Sequence, residues 1–295
     1  LPIDDFFKFD QKALVSATPI ELNDPRFEEQ NFKMIEIQPT FDYKKEIWLH
    51  HTNNTLQAFK DTLSKLDNEE AAPLPICVFI NSTDIIYSLM KQLDLLEESA
   101  VFCAPKSVDK LKRNKFNSSY EQWGKDKMKK YNFFTSRFFN AVDMELEEQP
   151  HVIMLTDVYF AEHTMIDPYT DAIQIVGRFR NGVSSITYIS NTKKGLPQRS
   201  KEEIKGYLIC SKEIYRTMKN FYDCATDRAS RDAYRAALES LPFNKMLDRN
   251  GNKNWFAIDN YMDEELMKNY FHDEDSLYKA YDNCDSFIAY HAGYY

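Results

Sequence analysis

Pro75-Ile76-Cys77-Val78-Phe79-Ile80-Asn81 is apolar through its centre, without the alternation of a strand that has one wet face. Such a run reads as a strand buried on both sides, which implies a parallel sheet with helices on each face. Ser82 or Thr83 follows where a short hydroxyl can cap a helix, and Ile86, Leu89, Met90 and Leu93 then recur at helical spacing. Short Val, Ile and Phe runs keep alternating with longer helical patterns from residue 75 to residue 190. They predict further strands at Ala100 to Ala104, Tyr131 to Thr135, His151 to Thr156 and Ser184 to Ser190, joined by right-handed crossovers. The fold class is α/β with a parallel sheet.

Asp167-Pro168 has the form of a helix start and Gly177 that of a helix end. On that helix Gln174 and Arg178 are four apart and share a face. After about Gly195 the alternation stops. Ile204, Leu208, Tyr215, Met218 and Tyr222 trace a helical stripe, Ala229 to Leu241 reads as helix, and Asn250-Gly251 is a hairpin signal. Amphipathic segments follow near Tyr261 to Phe271 and Leu277 to Tyr290.

The 295 residues include 21 Phe and 18 Tyr, ample for a packed core. No uninterrupted apolar run reaches the roughly 18 residues of a membrane span, and the first residues lack a signal-peptide layout, so a soluble cytoplasmic protein with no membrane partner is expected. Five cysteines, none in a Cys-x-x-Cys spacing, argue against zinc and disulfides. The six histidines show no metalloprotease spacing and there is no Gly-x-Ser-x-Gly elbow, so no protein-held metal is expected. A net charge of −9 is unpromising for nucleic acid, yet residues 106 to 130 hold nine basic against three acidic side chains. The field is divided between regions of the chain.

Three segments carry chemistry. Gln174-Ile175-Val176-Gly177-Arg178-Phe179-Arg180 places a glutamine, a glycine and two arginines where a helix stops. Thr135 and Asp143 stand eight apart in Thr135-Ser136-Arg137-Phe138-Phe139-Asn140-Ala141-Val142-Asp143, and Ser16-Ala17-Thr18-Pro19 lies near the start. In this order they resemble motifs VI, V and III of superfamily 2 helicases, the group that holds the DEAD-box, RIG-I-like and origin-binding helicases. The Gly-Arg-x-Arg form at residues 177–180 is closest to the last two.

The resemblance runs from about residue 13 to 190 and implies three parts. Residues 1–22 would be a remnant of a first lobe, 23–198 a second RecA-like lobe of the P-loop NTPase kind, and 199–295 a mostly helical accessory domain. It implies ATP and Mg2+, bound mainly by the first lobe, with Arg178 and Arg180 as catalytic arginines. Either Arg180 is the finger or it supports Arg178. Gln174, Gly177 and Asp143 would serve the ATP site. Thr135, Lys110 and Arg113 of the basic segment, and Asn81 and Ser82 of a motif IV-like strand end would meet single-stranded DNA or RNA. Asn81 and Ser82 read equally well as helix caps, and Trp123 as a base-stacking ring or as core. Ser16 and Thr18 would couple the lobes. Motif V departs from many relatives at Asn140-Ala141, where they carry Arg-Gly. No Gly-x-x-x-x-Gly-Lys-Ser/Thr loop occurs in the sequence, so the expectation is the rear half of a larger ATP-dependent helicase or translocase, inactive by itself. Two alternatives stand beside it: a non-catalytic RecA-like binding module, and the motor subunit of a restriction or defence complex.

Overall fold

The computed structural model describes residues 3–19, 21–67, 74–140 and 142–294. In chain order its main elements are α1 (Ile3–Phe6), α2 (Pro25–Glu29), β1 (Lys45–His51), α3 (Thr55–Asp67), β2 (Ile76–Phe79), α4 (Thr83–Gln92), β3 (Ser99–Phe102), α5 (Pro105–Arg113), β4 (Ser119–Tyr120), β5 (Tyr131–Phe134) and β6 (His151–Thr156). There follow α6 (Asp171–Gly177), β7 (Ser185–Ser190), α7 (Lys201–Cys224), α8 (Arg228–Ser240), α9 (Trp255–Met267), α10 (Glu274–Asp282) and β8 (Phe287–Tyr294). Among the described residues all eight strands join one sheet, ordered β4-β3-β5-β2-β6-β7-β1-β8, and every strand pairing within it is parallel.

The five strands expected from sequence all form, because their apolar runs are buried at nearly every position. β2 lies between β5 and β6, with Val78 in register with Phe133 and Ile153. One face of the sheet packs Val78, Val101, Phe133 and Ile153 against Phe59 of α3, Ile86 and Met90 of α4, and Leu111 of α5. An aromatic layer also forms across β2, β5 and β3. Phe79, Phe134 and Phe102 stack in sequence with ring centroids 5.0 and 4.9 Å apart, and Phe138 and Phe139 close over them. Phe116, inside the basic segment, belongs to the core as well.

Three strands escape the sequence reading. β1 mixes Lys45, Glu46, His50 and His51 with its apolar residues, β4 has two residues, and β8 lies in the stretch expected to be helical. The compact units are drawn differently from the expected limits 1–22, 23–198 and 199–295. One compact unit comprises Leu1–Gln38 with Pro197–Asn269, and the other Pro39–Leu196 with Tyr270–Tyr295. The physical reason is pairing: β8 runs beside β1 from Lys45↔Phe287 onward, and Phe287, Ala289 and Tyr281 of α10 are buried with the sheet.

The smaller unit is helical around Ile204, Leu208, Phe243, Met246 and Met262. Ser200 and Glu203 form a capping box at the start of α7. Asn23 donates twice to the buried Asp259 carboxylate, and Arg199 pairs with Glu265. The turn expected at Asn250-Gly251 is present, with Gly251 at φ 81 and a single antiparallel bridge, Leu247↔Lys253, in place of longer strands. No helix among the described residues is long and apolar enough to cross a membrane.

Candidate functional site

Met144 and Phe179 form an isolated parallel bridge: the Met144 amide donates to the Arg178 carbonyl at 2.8 Å and the Arg180 amide to the Met144 carbonyl at 3.3 Å. Phe179 turns inward, buried edge-on against Phe79 with centroids 6.1 Å apart. Arg178, which closes the last turn of α6 in helical conformation, and Arg180 both reach toward Asp143.

The two guanidinium groups differ in how much of them is committed. Arg178 donates through Nε to the Gln174 carbonyl (2.9 Å), through Nη2 to Gln174 Oε1 (2.8 Å) and through Nη1 to the Asn140 carbonyl (3.2 Å), with Asp143 Oδ1 3.7 Å away. Only 14% of its side chain is exposed. Arg180 donates from Nη2 to Asp143 Oδ1 at 2.6 Å, and half of it faces solvent. The shared face of Gln174 and Arg178 is thus a direct contact, and Arg178 is a frame while Arg180 is the outward charge. The segments around Asp143 and Arg180, 37 residues apart, are brought into one cluster.

Gly177 ends α6, as its position in the sequence foretold, and Arg178 caps it. A methyl group at Gly177 would meet nothing within 4 Å, so its own protein leaves the surface there bare. The residue whose backbone needs glycine is Gly182, at φ 87 in the turn before β7. The helix start is corrected. Asp167 folds its carboxylate onto the amides of Tyr169 and Thr170 at 2.7 and 3.0 Å, closing a turn that delays α6 to Asp171. Burial raises the pKa of both carboxylates, and that of Asp171 reaches about 6.

The residues expected to meet nucleic acid are differently placed. Thr135 is buried, its amide and hydroxyl both turned to the Phe102 carbonyl, whereas Ser136 and Arg137 next to it are exposed. Ser82 is a helix cap, its hydroxyl accepting from the Ile85 amide. Asn81 is a bridge: Oδ1 accepts from the Ser136 amide at 3.4 Å and Nδ2 donates to the His163 carbonyl at 3.0 Å. Lys110 and Arg113 are both exposed on α5, and Lys110 pairs with Asp84 at 2.6 Å. Lys125 and Lys130 pair with Glu147 and Asp67, so the basic run is partly neutralised. Trp123 is partly buried. Ser16 and Thr18 lie in an exposed segment without strand pairing, where the Thr18 amide donates to Ser16 Oγ. Ala141, half of the unusual Asn140-Ala141 pair, falls outside the described residues.

A polar node beyond β6 has no counterpart in the sequence reading. Asp157 accepts from Thr55 Oγ1 (2.9 Å), Asn191 Nδ2 (2.7 Å) and the Phe160 amide (3.2 Å), while its own amide donates to Thr164 Oγ1. It ties the ends of β6 and β7 to the start of α3, the side of a parallel sheet where ligands most often bind. Its members come from three separate stretches, around residues 55, 157–164 and 191, so no local spacing marks them.

Comparison of the chain with family models, with curated proteins and with solved structures returned no match.

Proposed function

We propose that this chain supplies the second, RecA-like half of an ATP-dependent nucleic-acid helicase or translocase of superfamily 2. The observation that carries the reading is the contact between Arg180 and Asp143, with Arg178 locked behind it by Gln174 and Asn140. The resemblance pairs these two segments in function, and the fold brings them into contact. ATP, when bound with Mg2+ on a neighbouring lobe, supplies a phosphoanhydride whose hydrolysis drives movement. Arg180 is the residue of this chain fitted to face its phosphates. It is half exposed, held among the described residues through Nη2 by Asp143, and follows the bare surface at Gly177 by three residues. Asp143 keeps it extended until a phosphate competes for it. A positioned guanidinium of this kind accounts for ~10³- to 10⁵-fold in related NTPases. On the strand side, Ser136 and Arg137 are the accessible groups, with Asn81 fixing the turn that presents them.

The test is nucleic-acid-stimulated ATP turnover by the full-length protein. Arg180→Ala is expected to lower it by ~10³-fold or more with ATP binding largely kept. Turnover within twofold of wild type would remove the assignment. The ion pairs that consume Lys110, Lys125 and Lys130 favour one other reading, a RecA-like binding module without catalysis. A full-length protein that binds a protein partner but shows no ATPase with any DNA or RNA would establish that alternative.

A further inference from the structure

The chain leaving β6 makes a turn that is pinned at several atoms. The Ala161 amide donates to the Asp157 carbonyl at 2.9 Å and the Phe160 amide to Asp157 Oδ1 at 3.2 Å, while the Val158 amide donates to Asn191 Oδ1 at 2.7 Å. Val158 points inward and is buried. The two residues after it do the opposite: Tyr159 and Phe160 are 65% and 66% exposed. A single exposed ring is ordinary on a protein surface. Two consecutive ones, on a backbone held this firmly, keep large flat apolar faces in water with little conformational freedom left to lose on binding.

Their setting is polar. The loop continues to His163, whose carbonyl accepts from Asn81, and Asn81 also accepts the amide of Ser136, so the ends of β6, β2 and β5 are linked side chain to backbone. β5, β2 and β6 are neighbours in the sheet, which sets β5 and β6 about 10 Å apart, and Arg137 and the aromatic turn follow the ends of these two strands. Ser136, Arg137 and His163 are all exposed there. An apolar protein surface would have to strip water from these groups to reach the rings. A single strand need not, because its bases offer flat faces to aromatic rings while its phosphates stay wet beside a cation. We propose that Tyr159 and Phe160 form a stacking platform for unpaired bases, with Arg137 meeting the phosphate backbone alongside. The proposal deepens the helicase reading and rests on it, since it names the part of the strand that this face grips.

The test is the affinity of the full-length protein for a fluorescent single-stranded oligonucleotide at fixed salt, by anisotropy. Tyr159→Ala and Phe160→Ala should each weaken binding roughly 5- to 150-fold, with melting temperatures unchanged because both rings lie outside the core. Tyr159→Phe should bind as wild type. An abasic strand of the same length keeps the phosphates and removes the stacking partners. The wild-type protein should therefore prefer the normal strand to the abasic one, and the alanine variants should lose that preference. Wild-type binding that is indifferent to the bases, or alanine variants that bind normally, would overturn the platform and leave the helicase reading standing. Alanine variants that raise only the KM for ATP would likewise overturn it, by assigning the rings to the nucleotide. Absence of strand binding and of ATPase in the wild type would end both.

Discussion

Phe179 separates two positive charges that share one partner. Its ring is drawn into the aromatic layer, while Arg178 and Arg180 on either side of it both approach Asp143. Their unequal surroundings give separable effects. Arg178→Ala removes a side chain with three hydrogen bonds and should lower the unfolding free energy by about 1–3 kcal/mol, whereas Arg180→Ala, at a half-exposed pair, should change it by about 1 kcal/mol or less. Chemical denaturation of both variants checks the contrast, and equal losses would mean that Arg178 is no frame. Asp171 offers a pH signature. Its folded pKa of about 6 lies above the ordinary 3.8 because burial disfavours the carboxylate. The folded state therefore holds a proton that the unfolded chain has lost, and stability falls as pH rises from about 4 to 6 and stays low above that. Asp171→Asn should reduce this slope, leaving the part that buried Asp167 contributes, and raise stability at pH 7.5 by on the order of 3 kcal/mol or less. Thermal melts across pH 4 to 8 measure it, and an unchanged slope would refute the assignment.

At the scale of elements, α4 begins where Ser82 accepts the Ile85 amide, so Ser82→Ala should cost about 1 kcal/mol and Ser82→Asp much less. If the hydroxyl serves only as a cap, neither change should alter single-strand affinity beyond its effect on folding; a selective loss of affinity in Ser82→Ala would restore the phosphate role. The central strands were legible because each carries a short apolar run without polar alternation and is buried at nearly every position, as a sheet covered on both faces requires. β1 and β8 were not, because edge-side strands keep polar and aromatic residues and look like loop or helix in isolation. In the site, the contact of Gln174 with Arg178 followed from helix geometry alone. The meeting of Asp143 with Arg180 could be expected only through the family resemblance. Asp157 stayed hidden, since its partners Thr55, Thr164 and Asn191 are ordinary polar residues that only the folded sheet gathers.

For the whole molecule, the compact units cut across the sequence: residues 197–269 form part of one unit between two pieces of the other. A chain ended at residue 198, where the sequence suggested a clean boundary, would lose α10 and β8. It would bare the edge of β1 together with Ile47 and Leu49. Such a fragment should express poorly and aggregate, while one that joins residues 39–196 to 270–295 through a short flexible linker should fold. Solubility and cooperative melting of the two fragments decide the matter; a stable, monomeric 1–198 would show that β8 is dispensable.

The placing of β8 also bears on how the protein is made. A ribosome delivers β1 early and its outer neighbour only after more than two hundred further residues, so β1 must wait with one side unpaired while the helical unit is translated. During that interval the nascent polypeptide exposes a strand open to adhesion, and chaperone demand should peak late in translation, relieved by the residues that complete the sheet.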